Sequence, residues 1–415
     1  MIHIPPALHH RRFRLLWSGL LVSIAGSQMQ LWALFWHIRT LTDQPIALGA
    51  VGLARILPVI IFSLIGGAVA DVLNRRRILF ITQAGMALVA LVLGWLTLTG
   101  HIDLWHIYLL TALQAVAQAF DLPARQALTP NLVSTKDLPN AFSLNSIANQ
   151  AGSILGPAIS GIIIAAGGLP YVYIINAISF LAVILALAAM GPVDQQRKVT
   201  SNGLVSFTAI AEGVRFILKQ PLILSTMILD FFATFFASAN TLMPIIAVDV
   251  LHVGAVAYGW LSAAQAIGAL IAALVISQMR AIRRQGIVFM LAVAVFGLAT
   301  ILFGASRLFL LSILALVIVG AADTVSTIIR NTIRQLTTPD YLRGRMTSVN
   351  QIFFQGGPQL GEVEAGLVAQ LFGAPFAVIS GGVGCILAAI WITRRWPQIR
   401  KYNGDEPVIA GSTAS

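Results

Sequence analysis

The 415 residues are 58% hydrophobic and only 10% charged, with a mean hydropathy of +0.86, whereas a soluble protein carries roughly a quarter charged residues. A chain of that composition cannot hide its apolar side chains in water-soluble cores, so most of its surface must face lipid. One cysteine, Cys385, excludes an internal disulfide and any multi-cysteine metal site.

Crossing the hydrocarbon takes about 20 apolar residues in a helix. Twelve stretches qualify: 15–37, 47–71, 77–99, 104–128, 139–166, 169–190, 221–249, 256–279, 286–304, 308–331, 345–371 and 375–394. The polar, proline-bearing start does not read as a cleavable signal, so the first span is expected to direct insertion. Connections such as Gly167-Gly168-Leu169-Pro170 and Phe372-Gly373-Ala374-Pro375 are short turns, and the one long connection is 191–220. With the amino terminus in the cytoplasm, 23 of the 26 lysines and arginines fall on the cytoplasmic side, Arg330 and Arg334 among them. That asymmetry predicts both termini inside. It also turns the net charge of +11 into a topology signal, with membrane lipid and not nucleic acid as its partner.

A shift of 205 positions aligns the fifth span with the eleventh without a gap, giving ten identities in 28 columns from Ser143/Ser348 to Pro170/Pro375. About two would arise by chance at average composition. A duplicated six-helix unit returns to its starting side, so the expected fold is all-α, with two parallel six-helix bundles related by an axis along the membrane normal. The domains are then 1–190, a linker at 191–220, a second bundle at 221–396 and a tail at 397–415.

At the end of the second span stands Gly67-Ala-Val-Ala-Asp71-Val-Leu-Asn74-Arg75-Arg76-Arg77, where Gly67 is expected to let a neighbouring helix approach closely. The fifth span carries Gly152-Ser-Ile-Leu-Gly156-Pro157-Ala-Ile-Ser-Gly161, small residues that permit tight packing around a proline that kinks the helix. The first motif resembles the signature loop of the major facilitator superfamily, departing from it at Asn74 and Val72. The second resembles its antiporter motif. With Asp121-Leu-Pro-Ala-Arg125 and the chain length, the whole resembles the proton-driven drug and siderophore exporter branch, which includes enterobactin exporters. The resemblance implies a conformational latch built from Gly67, Asp71, Arg75, Arg76, Asp121 and Arg125, and export by alternating access.

Ionisable groups inside a span are functional candidates, since each costs about 2.5 kcal/mol or more to insert. Six qualify: Arg55, Asp121, Asp230, Asp323, Glu362 and Glu364. Asp121 is four residues before Arg125, which predicts an intrahelical pair. Asp230 falls near the midplane of span seven and is the first choice for proton coupling or for holding a cationic substrate. Asp323 lies deeper in span ten. Glu362 stands at the repeat equivalent of Pro157, exchanging a kink for a charge. By the resemblance, spans two and eleven face each other, which predicts an ion pair of Arg55 with Glu362 or Glu364. Gln28, Gln30, Gln114 and Gln118 offer uncharged polar groups to a cavity.

No nucleotide loop, His/Cys ligand cluster or polar catalytic cluster stands out, so neither an enzyme nor a cofactor or metal is expected. The proton motive force is the expected driving gradient, a small molecule the substrate and a monomer the working form. The alternatives are an uptake symporter and, from another class, a non-transporting scaffold or a membrane-embedded enzyme.

Overall fold

The computed structural model describes residues 5–193, 195, 214–236, 239–279 and 283–404. Within helices, some side chains, that of Asp71 included, lie outside the description, as do most of the 191–220 linker and of the tail. The described residues are helical, without strands. The long helices are α1 Arg11–Leu41, α2 Pro45–Val72, α3 Arg75–Leu98, α4 Leu104–Leu128, α5 Leu138–Ala166 and α6 Leu169–Met190. They continue with α7 Pro221–Phe236, α8 Ala255–Gln278, α9 Gln285–Ala305, α10 Phe309–Thr337, α11 Asp340–Phe372 and α12 Ala374–Arg395. Ten helical segments are long and apolar enough to cross a membrane. Two more, α1 with 31 residues and α11 with 33, have the length. Glutamines and charged residues dilute both. Large apolar side chains such as Ile81 and Leu310 are 73% and 78% exposed, an outward-facing surface suited to lipid and not to water.

Helix starts follow local chemistry. Asn74, one of the two departures from the loop signature, is the N-cap of α3, accepting from the Arg77 amide at 3.2 Å. Asp103 and His106 form a capping box that starts α4. Gly168 and Gly373, 205 positions apart, take positive φ values of 95° and 87°, and each is followed by a proline in the first turn of the next helix.

Two compact units result. Unit 1 holds residues 1–43, 53–205 and 253–263, and unit 2 holds 44–52, 206–252 and 264–415. In unit 1, α1 packs on α5 and α6, and α3 on α4 and α6. In unit 2, α7 packs on α11 and α12, and α9 on α10 and α12, the same pattern six helices on. The duplication is therefore written into helix starts, turns and packing alike.

Span seven stands among the ten apolar segments as Pro221–Val250, and its later part is irregular: a 3-10 turn at Ala239–Leu242 and a short helix at Met243–Ile245 lead to a π turn at Ile246–Val250. Pro244 lacks an amide proton and stands in the first turn of the short helix, where none is needed. Two expectations are corrected. The close approach near the loop motif is made by Gly66, where an added Cβ would strike the Ala119 carbonyl, while one at Gly67 would meet nothing within 4 Å. Nor does α11 exchange its kink for a charge, because it keeps a proline, Pro358, one turn before Glu362.

Candidate functional site

In unit 1, α5 lies so close to α1 that a Cβ on Gly156 would sit 2.6 Å from Gln28 Cβ, and one on Gly152 would sit 2.6 Å from Ile24 Cγ2. This approach lets Gln28 Nε2 donate to Ser153 Oγ at 2.8 Å. On the other side of α1, buried Asn176 of α6 donates through Nδ2 to Gln30 Oε1 at 2.6 Å, and Gln30 Nε2 donates to Gln114 Oε1 at 2.5 Å. Three helices are thus joined by a line of amides inside an apolar unit, where each bond is strengthened by the absence of water. The line opens on a cavity of about 190 Å³ bordered by Ser27, Gln28, Gln30, Leu31, Leu34, Arg55, Thr111, Gln114, Ala115 and Gln118. Gln28, Gln114 and Arg55 are thereby brought together.

Deeper in unit 1, Asp121 is 3% exposed and accepts from Thr82 Oγ1 and Gln83 Nε2 at 2.9 and 2.8 Å, with Arg125 Nε at 3.7 Å. Arg75 Nη1 donates to the Ala127 carbonyl and to Asn131 Oδ1 at 2.8 and 2.9 Å, and Arg76 Nε to the Leu187 carbonyl at 2.8 Å. Both arginines satisfy orphan carbonyls at helix ends of their own unit. Gly161 of α5 meets the start of α8, where an added Cβ would be 3.1 Å from Gly259 Cα, and the Tyr258 hydroxyl donates to the Trp32 carbonyl at 2.8 Å. Pro157 lies within this crossing: a Cβ on Gly259 would sit 2.5 Å from the Pro157 carbonyl.

In unit 2, Asp230 of α7 meets Arg330 of α10: Nη1 and Oδ1 are 2.7 Å apart, with both residues 2% exposed. Asp323, half exposed, lies 3.8 Å from the same Nη1, and Ser326 Oγ accepts from it at 3.3 Å. Arg334, also 2% exposed, donates to the Arg330 carbonyl at 3.0 Å and to Asn331 Oδ1 at 3.1 Å. Arg330 and Arg334 were expected among the surface charges of the cytoplasmic side, and the structure buries both. Glu362 is buried and Glu364 half-buried, and a Cβ on Gly52 of α2 would sit 3.1 Å from Glu362 Oε2. Arg55 belongs to unit 1, and Glu362 and Glu364 to unit 2.

Sequence reasoning missed Arg330, Asn176 and Thr111. For Arg330 the signal was present, since it stands 205 positions after Arg125. Asn176 and Thr111 are single polar residues in apolar helices, and nothing in their spacing marks them.

A family model described as transmembrane secretion effector, within the major facilitator group, matches residues 5–406. The enterobactin exporter EntS of Shigella boydii is 25% identical over 354 residues, covering 84% of this chain and 83% of its own length. The same exporter from Escherichia coli matches to the same extent. A bacterial homologue of the human lysosomal transporter Spinster superposes with a TM-score of 0.75 at 13% identity, over 96% of this chain and 99% of that one. A bacterial homologue of the iron transporter ferroportin does so with a TM-score of 0.68 at 15% identity, over 93% and 98%. The chain belongs to the transmembrane secretion effector family of major facilitator proteins, and is a multi-pass membrane transporter, not an enzyme.

Proposed function

We propose that the protein exports small organic molecules, hydrophobic drugs or siderophores, across the cytoplasmic membrane in exchange for protons. It does so as a monomer with twelve spans in two parallel six-helix bundles, both termini in the cytoplasm, by alternating access. The observation that carries proton coupling is the Asp230–Arg330 pair. Its two charges sit on different helices, α7 and α10, away from water. Ionised, the pair ties the helices together; a proton on Asp230 removes the attraction and leaves Arg330 with Asp323 alone, 3.8 Å away. Proton occupancy is thereby tied to the spacing of α7 and α10. The Asp121–Arg125 pair of unit 1 lies within one helix, four residues apart, so the attraction between its two charges does not tie one helix to another. Export as the direction is supported by the Gly156-Pro157 motif and by the relatives named as enterobactin exporters.

The test is flux in proteoliposomes with an imposed pH gradient, using ethidium and a catecholate siderophore as probes. Substrate is expected to move against the proton flow, and Asp230→Asn is expected to abolish the response to the gradient while leaving downhill exchange. Gradient-driven export undiminished in Asp230→Asn removes Asp230 from the coupling step, and co-transport of probe with protons makes the protein an uptake symporter.

A further inference from the structure

The line of amides in unit 1 has a direction. Asn176 gives its NH2 to the Gln30 carbonyl, and Gln30 gives its NH2 to the Gln114 carbonyl, so Gln114 is left with its own NH2 toward the cavity, donating to no described residue. The Ser179 hydroxyl fixes the far end, donating to the Asn176 backbone carbonyl at 2.7 Å and lying 3.0 Å from Asn176 Oδ1. A second donor waits at the cavity wall: Thr111 is 8% exposed, and its Oγ1 has no partner among the described residues. Leaving a buried hydroxyl unmatched costs about 1–3 kcal/mol, so a site that keeps one has an acceptor to receive. Arg55 stands on the same wall, and none of the described lining residues is acidic.

We infer that this cavity is a subsite for a negatively charged oxygen substituent of the transported molecule, a carboxylate or phenolate, and that Asn176 sets its polarity, through Gln30, without touching that group. This rests on the transport reading above and adds the substrate class. The volume, about 190 Å³, is below the roughly 300–1,000 Å³ of pockets that enclose whole drug-sized ligands. It suits one substituent, with the remainder of the molecule outside. Gln114 and Thr111 are the specificity-determining donors; Asn176 is a positioning residue. If Asn176 becomes an acceptor only, Gln30 must turn its NH2 toward it. Gln30 then offers its carbonyl to Gln114, and Gln114 rotates its own carbonyl into the cavity. One atom changed two side chains away inverts the polarity of the site.

Fluorescein and rhodamine 123 share a xanthene frame, the first bearing a free carboxylate and the second a cationic ring with a methyl ester. Their affinities for the full chain in lipid nanodiscs, read by fluorescence anisotropy, test the assignment. Wild type is expected to favour fluorescein by about tenfold or more, the worth of a charge-assisted hydrogen bond. Gln114→Glu is expected to cancel that preference directly, and Asn176→Asp to reverse it toward rhodamine 123. Gln114→Met, neutral and of similar volume, is expected to weaken fluorescein alone. Equal affinities in wild type, binding of neither dye, or a preference that survives Gln114→Glu and Gln114→Met overturns the subsite. A preference lost in Gln114→Glu but intact in Asn176→Asp overturns the positioning role. The same dyes under a pH gradient separate the two readings: preferential binding without gradient-driven flux overturns export and leaves the subsite standing.

Discussion

Arg330 is the residue on which unit 2 turns. Taking one partner from a buried ion pair leaves the other charge without compensation, at about 3–5 kcal/mol, whereas replacing both with apolar residues is often neutral. Arg330→Met is therefore expected to lower the melting temperature and yield of folded protein sharply. The double variant Arg330→Met, Asp230→Leu is expected to recover most of that stability while remaining uncoupled. If the double variant melts no higher than the single one, the pair is not what holds α7 to α10. The arginine was missed because a basic residue near the end of a span reads first as a topology signal. Only the 205-residue shift from Arg125 separates it from its neighbours. Asp121 and Arg125 were legible because both partners of their pair lie within five residues of sequence. The acid facing Arg330 lies 100 positions away, and no local pattern joins them.

At the scale of elements, the crossing of α5 on α1 positions Gln28, and with it one wall of the cavity. A Cβ at Gly156 would be 2.6 Å from Gln28 Cβ and 2.8 Å from the Met29 amide nitrogen, so a side chain there forces the helices apart. Gly156→Val is expected to cost about 1–3 kcal/mol in stability and to lower transport beyond that loss, measured as flux per folded molecule. Flux unchanged per folded molecule means the crossing matters for packing alone. The start of α1 is held differently. His10 Nε2 meets Asp137 Oδ2 at 2.8 Å, and Ser134 Oγ donates to the same oxygen at 2.6 Å. These two bonds hold the Asp137 carboxyl below the usual carboxylate range. A lowered value in the folded state means the contact is fully present above the ordinary carboxylate pKa and lost only as pH falls through the lowered one. Amide protection of Arg11–Arg14 is expected to persist to a lower pH in wild type than in His10→Ala, and equal profiles would show that Asp137 does not anchor this end. The spacing of apolar runs made nearly every helix legible, because lipid imposes one length on all of them. Span seven is legible as a span but not in its detail: the turns at Ala239–Leu242 and Ile246–Val250 interrupt its later part, and hydropathy is blind to that.

For the molecule as a whole, the two compact units do not follow the midpoint of the chain. Residues 253–263, which include the start of α8, group with unit 1, and residues 44–52, which include the start of α2, group with unit 2, where an added Cβ on Gly49 would sit 3.1 Å from Gly366 Cα. Each half-chain therefore lacks a strip of its own unit. A fragment of residues 1–205 is expected to be markedly less protected against proteolysis around Gly161 when expressed alone than when co-expressed with residues 206–415. Equal protection would mean the strip adds nothing to unit 1.

Arg125 and Arg330 stand 205 positions apart, at equivalent places in the repeat, yet the acids beside them are placed differently: Asp121 is one turn earlier on the same helix as Arg125, whereas Arg330 meets Asp230 of α7 and Asp323 of its own helix. Ser326 stands where Asp121 has its copy. Removing the acid one turn before the arginine therefore has no counterpart in the second half, and a substitution scored in one half does not transfer to its mate in the other.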